Sequence, residues 1–507
     1  MEGHIFPKGC FFNSIDDIKD KRVTVMGLGL NGGGEAVTRF LLKHGAYVLV
    51  TDMKNEEQLK PTLNSIAEDK SLNKERLTYV LGGHRIEDFR DADCVIKNPG
   101  VKIQGNKFLS AAQAIESDIS LFLRFTKAPI IAVTGSKGKS STVSAIHYGL
   151  KEAGFTAFLG GNITVSPLTF LEETNENTPV VLELSSWQLA DLRGRGLLKP
   201  KISLITKIVP DHQNWYGNMA DYIADKKLIY ADQDADDFMI CDADKDGLGA
   251  GPEGGGSWGD VFAGECKAKV LRYKQDPLDN SQYGVWLSYD DKNNLEAVAR
   301  IPGKSSDTKI LGALNVPGRH MRQNLMNAAL VLYLMGVEAA DIQKSLGKWN
   351  GIPHRLQFFH QFKSAAGKTV RFYNDSCATV PEAAAAASAA FGKPVVFISG
   401  GTDKGLDFEP LAAAMAKTPV ASLYLLAGSG TDKLLPLLQE RNIAFHGPFS
   451  SLGELTSALK SDLDNPLSAA AQNDTVVFSP GCASFGMFNN EFDRGEKFMA
   501  AVKETFN

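Results

Sequence analysis

Residues 134–142, TGSKGKSST, stand between an apolar run that starts at Pro129 and a helix-forming stretch. A glycine loop in that setting turns backbone N–H groups and a helix N-terminus toward one point. Lysine and a hydroxyl at the helix start complete a cradle for phosphate and magnesium. The same unit limits the fold, because a strand that feeds a helix must return to a parallel neighbour. The usual spacing would place a glycine at Val133, so this is a shortened GxxGK[ST] loop of Gly135, Ser136, Lys137, Gly138, Lys139, Ser140 and Ser141.

The strand-then-helix alternation recurs along the chain. Residues 21–52 read as strand (RVTVMGLG), amphipathic helix (EAVTRFLLKHG) and strand (AYVLVTD), a βαβ unit. Strands are expected at 77–81 and at 94–96, the latter running into Asn98, Pro99 and Gly100. Further strands at 179–184 and 202–205 and a helical stretch at 324–335 continue the pattern, while 245–310 breaks it with a glycine-rich, polar segment. Residues 351–355 contain a proline and read as a hinge. Beyond it, strands at 395–399, 423–426 and 475–478 alternate with alanine-rich helices, residues 383–390 among them.

At 507 residues the chain exceeds one hydrophobic core. The expectation is an α/β protein of three domains. Residues 1–117 form a Rossmann-like domain, and 118–350 a central domain with a P-loop-type parallel sheet and an insertion or small antiparallel patch at about 245–310. Residues 351–507 form a second Rossmann-like domain.

Composition narrows the setting. With 43% hydrophobic and 22% charged residues the chain is expected to fold throughout. A net charge of −5 gives no electrostatic reason for a nucleic-acid partner. Cys10, Cys94, Cys241, Cys266, Cys377 and Cys482 are scattered without zinc spacing, and read as reduced thiols of a cytoplasmic protein. Neither a signal peptide nor an apolar run of about 18 residues is present, so no membrane span is expected. The chain is expected to act as a monomer.

Three further features carry chemistry. Gly27, Gly29 and Gly32 make a GxGxxG after a strand, with Asp52 ending the next strand. Such a turn seats a dinucleotide, a nucleotide-sugar diphosphate, or nothing at all. Glu183 ends an apolar strand, where parallel sheets place ligands and a carboxylate can hold magnesium near a phosphate loop. His212, beside Asp211, follows another strand and is a candidate for a second divalent ion. Spacing alone gives Lys226, in DYIADKKLIY, a solvated helix face.

In order along the chain, GLGLNG, TGSKGKSS, GGNI, ELSSWQL, PDH, ADKKLIY, GRHMRQN, GIPHR, NDSCAT, GGTDKGLDF and SPGCASF resemble the Mur ligase family over nearly the whole length. The resemblance is closest to the branch that adds D-glutamate to UDP-N-acetylmuramoyl-L-alanine with ATP and Mg2+. It implies a first domain for the UDP substrate, with Leu30, Asn31, Asp52 and Lys54 at the uridine and Asn98, Pro99 and Gly100 near the diphosphate. It implies that Lys139 and Ser140 cradle ATP phosphates, that Ser140, Glu183, His212 and a carbamylated Lys226 serve the metal, and that Asn162, Ser185 and Gln188 face the muramoyl group. Asn324, Arg355 and Asp375 would hold adenine, γ-phosphate and ribose. Thr379, Lys404 and Ser484 would hold the amino acid's carboxylates. The implied reaction runs through an acyl phosphate, shielded from water by closure about the 351–355 hinge.

Four positions depart from that pattern. Cys377 stands where many relatives carry lysine, and Glu491 where they carry an apolar aromatic; both changes disfavour a side-chain carboxylate unless Lys404 compensates. Lys207 and Met321 each replace an asparagine. L-Glutamate or another amino acid on the same acceptor remains open, as does a nicotinamide-dependent dehydrogenase built on the Gly27 turn. Cys377 also reads as a small buried thiol.

Overall fold

A computed structural model of the chain describes residues 7–9, 12–163, 165–244, 252, 256–290, 294–365, 367–418 and 420–507. Among them, twenty strands form three sheets. The chain divides into two compact units, Met1–Gly312 with Asn324–Ser345, and Ala313–Gln323 with Leu346–Asn507.

The first unit holds two sheets. The first contains β1 (Arg22–Met26), β2 (Tyr47–Asp52), β3 (Leu77–Leu81), β4 (Cys94–Lys97) and β5 (Ile115–Glu116). These lie in the order β3-β2-β1-β4-β5, all parallel. The second contains β6 (Ile130–Thr134), β7 (Phe158–Gly161), β8 (Val180–Glu183), β9 (Ile202–Ile205), β10 (Phe238–Asp242), β11 (Lys269–Lys274), β12 (Gly284–Tyr289), β13 (Leu295–Arg300) and β14 (Thr308–Leu311). Its order is β14-β13-β12-β11-β10-β9-β6-β8-β7. Strands β6, β8 and β9 are buried at every position, which is why they read as unbroken apolar runs. A continuous core links the sheets, from Val25 and Ile96 through Ile119 and Phe122 to Val180 and Leu182.

The region expected as an insertion or a small antiparallel patch forms strands of the central sheet, antiparallel at β13 and β14. Strand β11 docks parallel on β10 and β12 parallel on β11, while β13 and β14 add antiparallel strands, so this region widens the central sheet and is not set apart from it. In the buried middle of β11, Leu271 and Tyr273 bury apolar surface that favours this docking, while Arg272 donates to the Asp242 carbonyl on β10. The glycine-rich positions 245–251 and 253–255 lie outside the described residues, as does Cys10.

The second unit holds β15 (Gln357–Lys363), β16 (Thr369–Asn374), β17 (Val396–Gly400), β18 (Ser422–Leu426), β19 (His446–Phe449) and β20 (Thr475–Phe478). The order is β15-β16-β20-β17-β18-β19, parallel except for β15. The alanine-rich stretch is a helix, Pro381–Ala389. Among the described residues, Cys241, Cys266, Cys377 and Cys482 are free thiols, and no helix is long and apolar enough to cross a membrane.

Candidate active site

Strand β6 ends at Thr134, and the helix Lys139–Glu152 begins five residues later with Gly138 as its cap. Gly135 and Gly138 both hold positive φ, 143° and 90°, a region that side chains resist. Space excludes a side chain as well. A Cβ on Gly135 would lie 1.9 Å from Thr206 Oγ1, and one on Gly138 would lie 2.4 Å from Asn324 Oδ1. Asn324, remote in sequence, therefore packs directly on the loop. Ser136 N donates to the Lys207 carbonyl at 2.9 Å and Thr206 Oγ1 donates to the Lys137 carbonyl at 2.8 Å, which tie the loop to the segment after β9. Lys139 Nζ donates to the Gly135 and Ser136 carbonyls at 2.9 and 3.2 Å, and burial draws its pKa down against the pull of Glu183 and Asp211. Ser140 and Ser141 open the helix, where the first N–H groups lack intrahelical partners.

The carboxyl ends of the neighbouring strands face the same loop. Glu183 closes β8 and is 2% exposed. Its Oε1 accepts from Asn162 Nδ2 at 2.9 Å, while Oε2 is buried with no partner among the described residues. A buried carboxylate oxygen left unpaired is costly and calls for a cation. Gly161 lets the chain pass: a Cβ there would stand 2.2 Å from the Glu183 carbonyl.

Lys226 overturns the solvated-face reading. It is 1% exposed, donates to the Gly135 carbonyl at 2.9 Å and to Thr134 Oγ1 at 3.4 Å, and lies 4.5 Å over the Tyr222 ring. Burial, reinforced by the Lys139 charge, depresses its pKa well below the usual lysine range. Tyr222 in turn reaches Ser136 Oγ at 2.9 Å. Tyr222 was not singled out from sequence, yet its position four residues before Lys226 puts both on one helix face. His212 has a left-handed φ of 51° and its ring lies 5.0 Å from that of Trp187. Lys137 pairs with Asp211 at 3.1 Å.

Other expected residues have structural duties. Ser185 and Gln188 bond reciprocally as the capping box of helix Ser186–Ala190. Asp52 accepts from Gly29 N at 3.0 Å and Lys54 N at 2.8 Å, so its carboxylate shapes the first glycine turn. Asn98 Oδ1 accepts from Gly100 N at 3.0 Å beside Pro99, whereas Leu30, Asn31 and Lys54 are exposed.

The second unit has its own polar cluster. Asp375 accepts from Ser479 Oγ at 2.6 Å and Leu356 N at 3.1 Å, and burial raises its pKa to about 7. Lys404 Nζ donates to Thr379 Oγ1 at 3.3 Å. Burial pushes the Cys377 thiol upward against Arg355, with which it bonds, and Glu491 raises it further. Ser484 lines a cavity of about 240 Å³ with Gly401, Gly428 and Arg494. Arg494, missed in the sequence, is 1% exposed and ties two segments together, through Nε to Ser376 Oγ at 3.0 Å and Nη1 to the Cys482 carbonyl at 2.9 Å. Its partners come from 118 and 12 residues away, so no local pattern marks it.

A glycine loop between strand and helix, at the carboxyl edge of a parallel sheet and ringed by Lys139, Glu183 and Lys226, defines a P-loop-type nucleotide-binding α/β protein. Residues 133–332 match the model of the Mur ligase middle domain, and 21–120 that of the Mur ligase MurD-like N-terminal domain. A UDP-N-acetylmuramoylalanine–D-glutamate ligase of Treponema pallidum is 40% identical, over 96% of this chain and 98% of that protein. Its counterpart in Borreliella afzelii is 35% identical over 96% and 99%. The chain belongs to the Mur ligase family. Solved structures share the fold: UDP-N-acetylmuramate–alanine ligase MurC of Thermotoga maritima at TM-score 0.53 and 17% identity, covering 96% of this chain and all of that one. A MurF ligase of Thermotoga maritima in complex with ADP superposes at 0.51 with 15% identity, covering 98% of each.

Among the described residues, no three His, Cys, Asp or Glu side chains gather to hold a metal. The expected set uses two such groups, Glu183 and His212, and completes itself with Ser140 and Lys226. The orphaned Glu183 oxygen fits a hard divalent ion.

Proposed function

We propose that the chain is an ATP-dependent ligase that joins D-glutamate to UDP-N-acetylmuramoyl-L-alanine in peptidoglycan precursor synthesis, releasing ADP and phosphate. The observation that carries this reading is the phosphate loop faced by an unpartnered Glu183 oxygen and a buried, easily deprotonated Lys226. The printed names of relatives matching 96% of the chain supply the substrates. A nucleotide-linked sugar and ATP as reactants put the reaction in the cytoplasm, and the enzyme acts as a monomer.

In the first step an alanyl carboxylate oxygen attacks the γ-phosphorus, the bond to the β-phosphate oxygen breaks, and ADP leaves. In the second, the glutamate amine attacks the acyl carbon, phosphate departs with the former carboxylate oxygen, and the amine gives up a proton. Lys139 and the loop amides from Gly135 to Ser141 stabilise charge gathering on phosphoryl oxygens. Lys226 meets the requirement for carbamylation, since only a neutral amine attacks carbon dioxide. The N–C bond would form as the amine nitrogen gives up one proton to solvent, leaving a carbamate anion, a carboxylate-like ligand, in place of the neutral amine. Ser140, Glu183, His212 and this carbamate would hold Mg2+, which would supply positive charge for phosphoryl transfer.

Asn324 takes the adenine, with Arg355 at the γ-phosphate and Asp375 at the ribose. Leu30, Asn31, Asp52 and Lys54 take the uridine, Asn98, Pro99 and Gly100 the diphosphate, and Asn162, Ser185 and Gln188 the muramoyl side. Thr379, Lys404 and Ser484 take the carboxylates of D-glutamate, with Lys404 the cation that compensates for Cys377.

The test is phosphate release from ATP with UDP-N-acetylmuramoyl-L-alanine and a panel of amino acids. Release with D-glutamate is the expected result. Silence with every amino acid would sink the ligase assignment, and release only with a neutral amino acid or L-glutamate would correct the acceptor amine.

A further inference from the structure

Lys97 ends β4 immediately before Asn98–Pro99–Gly100, and Asp191 follows the helix Ser186–Ala190 that begins three residues after Glu183. Their side chains, 2% and 8% exposed, meet at 2.6 Å. Lys97 lines two cavities at once. One, of about 30 Å³, lies under the first glycine turn with Gly27, Asn98 and Asp118. The other, of about 170 Å³, is walled by Trp187, Trp215 and Asp191. Pro99 lines both. The ion pair thus stands where the first sheet's ligand edge meets the segment that carries Glu183.

Stability is a poor reason for such a pair. Removing two ions from water costs about as much as their attraction returns, and an apolar pair of equal volume is often as stable or more so. What a buried pair does supply is a fixed relative position, since neither ion can tolerate separation without water. Burial raises the Asp191 carboxyl to about 6 even beside Lys97, with Asp118 adding to the rise.

Resting on the function proposed above, we propose that Lys97 and Asp191 are positioning residues. They hold the diphosphate turn in register with Glu183 so that a substrate anchored at its UDP end presents its alanyl carboxylate at the phosphate loop. The pair touches no reacting atom in this role. It matters only to a ligand long enough to span both halves.

That distinction gives the test. In the full chain, Lys97→Met with Asp191→Leu removes both charges and keeps the volume. Binding of UDP and of UDP-N-acetylmuramoyl-L-alanine is measured by calorimetry for this variant and the unsubstituted protein. UDP alone should bind equally to both, while the spanning substrate should lose about tenfold in affinity as its preorganised site loosens. The exchanged pair, Lys97→Asp with Asp191→Lys, should recover part of that loss. Equal losses for both ligands, or no loss for either, would overturn the proposal, because a merely structural pair moves them together. If the double variant fails to fold, the apolar pair was not an adequate replacement, and the positioning account, which expects it to be, is overturned as well. An unsubstituted protein that binds UDP but not the longer substrate would instead overturn the function proposed above.

Discussion

Gly138→Ala probes the loop through two separable costs. The left-handed φ of 90° charges any side chain about 1–2 kcal/mol. The added Cβ would also stand 2.4 Å from Asn324 Oδ1, well inside any real contact, and Asn324 is only 8% exposed and has little room to move. Overpacking of this kind adds about 1–3 kcal/mol, so the single variant should lose about 2–5 kcal/mol. In an Asn324→Ala background the obstacle is gone and only the backbone cost remains. A double-mutant cycle by urea unfolding, followed by the fluorescence of the adjacent Trp187 and Trp215, should therefore show a favourable coupling of about 1–3 kcal/mol. ATP affinity should fall in Gly138→Ala. Additive losses, within about 0.5 kcal/mol, would refute the direct packing of Asn324 on the loop.

Three further outcomes follow from single side chains. Lys226→Met should abolish turnover, by about a thousandfold or more, without rescue by bicarbonate. It should not destabilise the fold: a depressed lysine pKa costs stability as pH falls below the ordinary value of 10.5, so any gain from the substitution should grow toward low pH in unfolding measurements. Asp375 has a raised pKa of about 7, so the stability it contributes is complete below about 4 and is lost as pH rises through 7. Asp375→Asn should flatten that fall and gain a few kcal/mol over the unsubstituted protein at pH 8, and an unchanged pH profile of unfolding would contradict the assignment. Arg494→Met should cost about 3–5 kcal/mol, since it strands the Ser376 and Cys482 carbonyls, and Arg494→Lys should recover only part because one ammonium lacks the guanidinium fork. Thermal unfolding of both variants checks this.

The strands that hold the site were legible because they are buried on both faces and flanked by glycine. Residues 202–205 coincide with β9, and the phosphate loop sits between strand and helix as read. What escaped depends on contacts distant in sequence. Two adjacent lysines look solvated, and only the fold reveals that Lys226 turns inward onto Tyr222 and the Gly135 carbonyl while Lys227 pairs with Glu265. The polar stretch after residue 256 looked separate because its strands are short, and their pairing with β10 is a tertiary matter. Lys97 and Asp191 are 94 residues apart and carry no local signature. Ser185 and Gln188 fit a family motif and equally a helix cap, a double duty that spacing cannot divide.

The central claim is transfer of a carboxylate oxygen to phosphate at this loop. UDP-N-acetylmuramoyl-L-alanine labelled with oxygen-18 at both alanyl carboxylate oxygens, turned over with ATP and D-glutamate, tests it by mass spectrometry of the released phosphate. One label per phosphate is the expected result, because the oxygen that attacks phosphorus leaves with it. Unlabelled phosphate formed alongside the amide product would show that water, not the substrate carboxylate, takes the γ-phosphoryl group, and would contradict the acyl-phosphate route.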